Sequence, residues 1–264
     1  MMSRGVAEAQ AADATPTPTR LLRVARLGLT PYREAWALQR ALVALRKAGE
    51  IEDTLLLLEH PPVITLGRNT GADSLLWSEA HLAERGVSLV TSDRGGDATY
   101  HGPGQLVAYP ILDLKPDMAD IPRFVRTLEQ VMLDVMESYG LVGGRVETAP
   151  GAWLLAADAP AGSGSIDRKL GAVGARVSRW VTHHGVALNI NTHLPHFELI
   201  VPCGISDKGV SSLAHELGRE LDFKEAMARF ERAFAKRFRR ELRAITRAEL
   251  PTVTPLEEGA EETS

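Results

Sequence analysis

The sequence predicts an α/β or α+β fold in which helices flank a mixed β-sheet. Short apolar runs of strand length, a few long stripes of helical period, and the irregular alternation of the two carry that reading. Thr30-Pro31 forms a helix start, a cap residue followed by proline at the first position. Tyr32, Ala35, Trp36 and Val43 then share a face, and Gly49 stands where the helix should stop. Thr54–Glu59 and Val63–Leu66 read as strands meeting at a rigid His60-Pro61-Pro62 turn. A second helix is expected over Ile121–Tyr139. Phe124, Val125, Leu128, Val131, Met132, Val135 and Met136 make its core-facing stripe, and Gly140 ends it. Strands are expected at Ala152–Ala156, Leu170–Val177 and Val181–Ile190, with a Gly/Ser/Asp/Pro loop over Ala157–Asp167. A last helix starts at Asp222, with Glu225 three residues on as in a capping box.

At 264 residues the chain can bury one large core, here assigned to residues 20–250. Residues 1–19, rich in Ala, Thr and Pro, and the acidic residues 251–264 read as disordered tails. A net charge of −4 gives no electrostatic case for nucleic acid or anionic membrane, and the basic stretch Arg229–Arg247 reads as a solvated helix face. One cysteine cannot form an internal disulfide, no signal-peptide layout opens the chain, and no apolar run reaches membrane-spanning length. These features suggest a soluble, cytoplasmic protein, and nothing in the sequence demands more than a monomer.

Chemistry concentrates in Arg94-Gly95-Gly96-Asp97-Ala98-Thr99-Tyr100-His101-Gly102-Pro103-Gly104-Gln105. Its glycines let backbone pass close to a ligand, and exposed N–H groups in such a loop can hold an anionic or carbonyl oxygen. The spacing is neither a Walker A nor a dinucleotide fingerprint. A glycine-rich hairpin without chemistry remains the competing reading. Cys203, between Pro202 and Gly204, is either an inert buried thiol or a side chain presented on a loop. As a nucleophile it needs a neighbour that favours the thiolate below its reference pKa of about 8.5. Lys169 and His184 are the candidates, each with a plain structural alternative as an edge charge or a satisfied strand histidine. His193 and His196 lack a nearby carboxylate or second thiol, so no metal site is assigned.

Six segments together resemble the lipoyl (octanoyl) transferase family, the octanoyl-carrier-protein-to-protein N-octanoyltransferases. They are Glu59–Arg68, Arg94–Gln105 with Tyr109-Pro110, Pro150–Trp153, Lys169–Gly174, His184–Asn189 and Pro202–Gly204, in family order. The resemblance implies the mixed-sheet catalytic domain of biotin and lipoate protein ligases, a nucleophile at Cys203 and a lysine at Lys169 that lowers its pKa. It places acyl-binding segments at Arg94–His101, at Ala172, Val173 and Gly174, and at Gly185, Val186 and Ala187. It implies octanoyl-acyl carrier protein as donor, and as acceptors the lipoyl domains of 2-oxoacid dehydrogenases and the glycine cleavage H protein, with no cofactor. Backbone N–H groups of Ala172–Gly174 or Gly204 are the expected oxyanion donors. The departures are Val201, where the family often has Asn, and the long 157–167 loop. An ATP-dependent ligase, an amidotransferase between carrier domains, a non-catalytic lipoyl-domain-binding module and a cysteine hydrolase are the alternatives.

Overall fold

The structure is a computed structural model that describes residues 19–71, 75–158, 166–200 and 208–257. In chain order the first half comprises β1 (Arg20–Leu29), α1 (Tyr32–Ala48), β2 (Asp53–Glu59), β3 (Val63–Leu66), α2 (Glu79–Glu84), β4 (Ser88–Thr91), β5 (Thr99–His101) and β6 (Gln105–Ile111). Then come α3 (Ile121–Ser138), β7 (Gly144–Val146), β8 (Ala149–Leu154), β9 (Arg168–Val173), β10 (Arg176–Ser178), β11 (Val181–His183) and β12 (Val186–Asn189). The chain closes with β13 (Gly209–Val210), α4 (Leu213–Leu217), α5 (Phe223–Phe238) and β14 (Arg240–Ile245).

The main sheet runs β14-β1-β2-β6-β12-β9-β8-β7, with β13 beside β9, and it mixes parallel and antiparallel pairs as expected. Leu55, Leu56, Leu57 and Leu58 of β2 are all fully buried because both faces of the sheet are covered. Leu55 and Leu57 pack with α3 and α5, whereas Leu56 and Leu58 pack with α1. A smaller sheet, β4-β3-β5, stands beside it.

Helix α3 buries Phe124, Leu128, Val131, Met132, Val135 and Met136, so the methionines are core residues as expected. Helix α1 stops at Gly49 in the left-handed conformation, but Thr30 does not cap its start. The Thr30 N–H donates to Glu59 O (2.8 Å) and its hydroxyl to Leu27 O (3.3 Å), so Thr30 extends the strand and leaves the cap position to Pro31. Asp222 caps α5 through the N–H groups of Lys224 and Glu225, while the Glu225 carboxylate binds Arg229.

The His60-Pro61-Pro62 turn joins β2 to β3 as expected and carries the chain out of the main sheet into the small one. Other expectations need correction. Both long strands after residue 169 are broken, the first at Gly174-Ala175 and the second at His184-Gly185. Arg229–Arg247 is not one helix face: Arg239 turns left-handed and the chain re-enters the sheet as β14. Arg240 is buried there on Asp53 (3.1 Å) and Asp117 (2.6 Å). Residues 251–257, read as the start of an acidic tail, run along α1: Val253 and Leu256 are partly buried, and Arg33 donates to Glu257 O. Among the described residues no helix is long and apolar enough to cross a membrane.

Candidate active site

A cavity with an open mouth lies between the α1-facing side of the main sheet and the small sheet. Its half-buried rim is made by Lys169, Gly96, Asp97, Thr99 and Ala172–Gly174. Its deep end is made by the buried Tyr32, His101, Tyr109 and His184.

Lys169 reaches this face through a strand irregularity. Lys169 and Ala172 are three positions apart, an odd step that in a regular strand would send their side chains to opposite faces. Gly171 pairs with Ala152 but Lys169 pairs with Trp153, so β9 carries one more residue than β8 across Leu170. This β-bulge leaves Leu170 buried with the α3 core and turns Lys169 to the same face as Ala172. The Lys169 ammonium then lies 5.2 Å from the Trp153 ring centroid. Gly151 keeps the path open, since a Cβ there would stand 2.7 Å from Lys169 Cε and 2.3 Å from Gly171 O. The Gly151 N–H donates to Glu129 of α3 (2.9 Å), a buried carboxylate that also takes Arg145 (3.0 Å).

Cys203 lies outside the described residues. On its C-terminal side, Gly209 pairs with Arg168 and Val210 with Lys169 in parallel, and Ser211 N–H donates to Lys169 O (3.0 Å). Arg168 holds Glu216 with two hydrogen bonds of 2.7 and 3.0 Å. Burial alone would raise the Glu216 carboxyl, but these bonds prevail and hold it below its ordinary range.

The glycine-rich loop is pinned through its arginine. Arg94 donates from Nε to Thr65 Oγ1 (2.9 Å), from Nη2 to Thr65 O (2.5 Å) and from Nη1 to Gly95 O (3.0 Å). Gly67 permits the contact, because a Cβ there would stand 2.2 Å from Gly96 O. Gly95 in turn approaches Ala175 O, which brings the loop against the β9–β10 turn.

The deep end is a network of buried polar rings. His60 Nδ1 lies 2.6 Å from Thr30 O, a carbonyl that can only accept, so Nδ1 carries the proton and Nε2 accepts from the Tyr109 hydroxyl (2.8 Å). Burial lowers the His60 pKa to about 4 against the partial support of Thr30 O. The Tyr32 hydroxyl bonds Ser92 Oγ (2.8 Å), and burial pushes its phenol up to about 12. Behind the cavity Asp93 receives His184 Nε2 (2.7 Å), His183 Nε2 (3.4 Å) and the Arg176 guanidinium. Burial works to raise Asp93, but the two histidine hydrogen bonds outweigh it and hold the carboxyl well below its ordinary range. Burial lowers His184 to about 4 although its bond to Asp93 opposes the shift. Asp93, His183 and His184 bring three potential metal ligands within 4.8 Å of one another, yet Arg176 already occupies Asp93 Oδ2 with the charge a cation would supply.

A family model for the lipoyl protein ligase A/B catalytic domain matches residues 31–235. An octanoyltransferase of Chloroflexus aurantiacus is 51% identical over 201 residues, covering 76% of this chain and 86% of that one. The chain belongs to the octanoyltransferase family. A longer family member from Myxococcus xanthus is 45% identical over 217 residues, which span 82% of this chain and 58% of that one. Among solved structures, a bi-partite lipoate protein ligase from Thermoplasma acidophilum aligns with a TM-score of 0.68 at 16% identity, over 87% of this chain and 88% of that one. That likeness concerns the fold, which is the ligase-type catalytic domain expected from the sequence.

Against this family's expected segments, the structure gathers Lys169, Arg94, Gly96, Asp97, Thr99, His101, Ala172, Val173, Gly174, Gly185, Val186 and Ala187 around one cavity. Gly95, Ala98 and Tyr100 do not line it. Ala98 and Tyr100 are core residues of the small sheet, and the Tyr100 hydroxyl meets His196 Nδ1 at 2.8 Å. Gly174 is not an oxyanion donor, since its N–H is committed to Gly185 O (2.8 Å). Sequence reasoning missed the roles of Tyr32 and Tyr109: Tyr32 read as an ordinary helix-face aromatic and Tyr109 only as part of a motif. His184, weighed as a partner for the thiol, instead bonds Asp93.

Proposed function

We propose that the chain moves an octanoyl group from octanoyl-acyl carrier protein to a lysine of a lipoyl domain, through a thioester on Cys203. In the first half-reaction Lys169 takes the thiol proton or stabilises the thiolate, the thiolate attacks the donor thioester, and the carrier leaves as a thiolate that takes up that proton. Thioester exchange is nearly isoenergetic, so ATP is not required. In the second, the neutral acceptor amine attacks the Cys203 thioester, Cys203 leaves as the thiolate, and amide formation drives the step forward. Free lysine titrates near 10.4, so Lys169, neutral again after the first half, is the base that takes the amine proton and returns it to Cys203. The Ala172 N–H lies in the β9–β12 ladder opposite Ala187, so the Gly204 N–H is the proposed oxyanion donor, such a donor being worth about 3 kcal/mol.

The observation that carries this reading is Lys169 itself, turned by the Leu170 bulge onto the rim of an apolar-walled cavity. Its strand pairs with Gly209 and Val210, six and seven residues after Cys203. A nucleophile that must stay reduced suits a reducing compartment, and the cytoplasm is the proposed location. Lipoyl domains of 2-oxoacid dehydrogenases and the glycine cleavage H protein are the proposed acceptors.

Intact mass after incubation with octanoyl-acyl carrier protein and no ATP tests the reading. The expected result is a gain of one octanoyl group, labile to hydroxylamine and absent in Cys203→Ser. Lys169→Ala should keep its fold and lose most turnover. Acceptor acylation that occurs only with ATP, without an adduct on the protein, would assign the chain to ligase chemistry instead.

A further inference from the structure

We propose that Tyr32 and Tyr109, clamped in place by their own hydrogen bonds, form the end stop that selects acyl-chain length. The inference rests on the acyl-binding reading of the cavity and adds to it the residues that decide which chain fits.

The order of burial fixes the direction of the cavity. Lys169, Ala172 and Val173 are half-buried, whereas Tyr32 and Tyr109 are each only 4% exposed. A chain whose carbonyl is held at Lys169 therefore enters with its methyl end towards the tyrosines. The sheet register sets the path. Ala172 of β9 stands opposite Ala187 of β12, which stands opposite Val107 of β6, and Tyr109 follows two residues along on that same face. The chain therefore crosses two strand spacings of about 4.8 Å each over one face of the sheet before it meets the Tyr109 ring. Small side chains at Ala172 and Ala187 leave the floor between rim and stop clear.

The stop is stiff as well as correctly placed. Tyr109 donates to His60 Nε2, and His60 is anchored on Thr30 O. Tyr32 is tied to Ser92 and lies with its ring 5.2 Å from that of His60 and 6.1 Å from that of His101. Swinging either ring aside to admit a longer chain would leave buried polar atoms without partners.

The test is the acyl-length profile. Hexanoyl-, octanoyl-, decanoyl- and dodecanoyl-carrier proteins are compared by kcat/KM in the wild type, Tyr32→Ala, Tyr32→Phe and Ala187→Leu. Removing the Tyr32 ring admits two further methylenes at about fourfold each, so the decanoyl-to-octanoyl ratio should rise by about tenfold or more. Ala187→Leu raises the floor and should move the preference towards hexanoyl. Tyr32→Phe keeps the ring but loses its tie to Ser92, so the ratio should rise in the same direction and by less than in Tyr32→Ala. The same ranking is read without chemistry from calorimetric binding of free hexanoate to dodecanoate. A wild type that transfers nothing would refute the transferase reading while the binding series still judges the stop. Profiles that keep their shape in Tyr32→Ala and Ala187→Leu, with all lengths reduced alike, would overturn the proposal, and a Tyr32→Ala that folds suffices if Ala187→Leu does not.

Discussion

Acid should weaken this fold through His60, and the size of the effect follows from its surroundings. The neutral ring donates from Nδ1 to Thr30 O and accepts at Nε2 from Tyr109, so both nitrogens are spoken for. A proton added at Nε2 would face the Tyr109 hydroxyl donor and would place a charge in a fully buried site. This is why the folded-state pKa falls from 6.5 to about 4. In the unfolded chain His60 binds a proton as pH drops below about 6.5, while the folded protein resists until about pH 4. The unfolded state thus holds more protons in that window, and stability is lost as pH falls through it. Between pH 7 and pH 4.5 the two titrations differ by about 2.5 kcal/mol.

The assay is the urea midpoint at both pH values for the wild type and His60→Gln. Glutamine can donate to Thr30 O and accept from Tyr109 but does not titrate. With an m-value of about 3 kcal/mol/M, the wild type should lose about 0.8 M more in midpoint than the variant over the same pH drop. His184, also lowered to about 4, contributes to both proteins and cancels in the comparison. Equal losses in the two proteins would refute the reasoning, because they would mean that His60 charges as readily folded as unfolded.

Two further outcomes concern the frame around the site. Gly151→Ala should abolish most turnover while circular dichroism stays close to wild type, since the new Cβ meets Lys169 Cε at 2.7 Å and the immovable Gly171 carbonyl at 2.3 Å. Wild-type kcat in that variant would show that Lys169 does not need the path along Gly151. Asp53→Asn should cost about 3–5 kcal/mol, because the fully buried Asp53 carboxylate gathers Arg46 (2.9 Å), Arg240 (3.1 Å) and Arg20 (3.4 Å). At about 3 °C per kcal/mol for a chain of this size, the melting temperature should fall by roughly 10 °C, and a fall under about 2 °C would contradict it.

Local signals carried much of the architecture. The α3 stripe, the Gly49 stop, the Asp222 cap and the mixed sheet could all be read from periodicity and turn chemistry, because each depends on residues within a few positions. What stayed hidden depends on contacts distant in sequence. The β14 strand, with Arg240 at its start, reads as part of a solvated basic helix until Asp53 and Asp117 are brought to it from across the fold. The breaks at Gly174 and Gly185 come from neighbours that no local pattern records: Arg94 and Gly95 press on the first, and Ala108 O lies where a Gly185 Cβ would stand. The site segments were legible as a set by family resemblance, yet the separation of Ala98 and Tyr100 from the rest needed the β3–β5 pairing that turns them inward.

The position of Lys169 shows why spacing alone could not locate the site. Strict alternation would place Lys169 among the α3 side chains, where an ammonium would be desolvated beside methionines, and would place Leu170 in the cavity. One unpaired step in β9 exchanges those two outcomes. The exchange is held from both flanks. On one side Gly151, fixed by Glu129, accommodates the lysine stem. On the other, Arg168 is locked to Glu216, and Gly209–Val210 pair with Arg168 and Lys169. A bulge supported on one side alone could slip by a residue and bury the ammonium. With both sides fixed, the slipped register would break the Arg168–Glu216 pair and drive Leu170 into the polar rim. The same contacts tie the chain that follows Cys203 to the strand that carries Lys169, so the fold's defence of its register is also what keeps the proposed base beside the proposed nucleophile's segment.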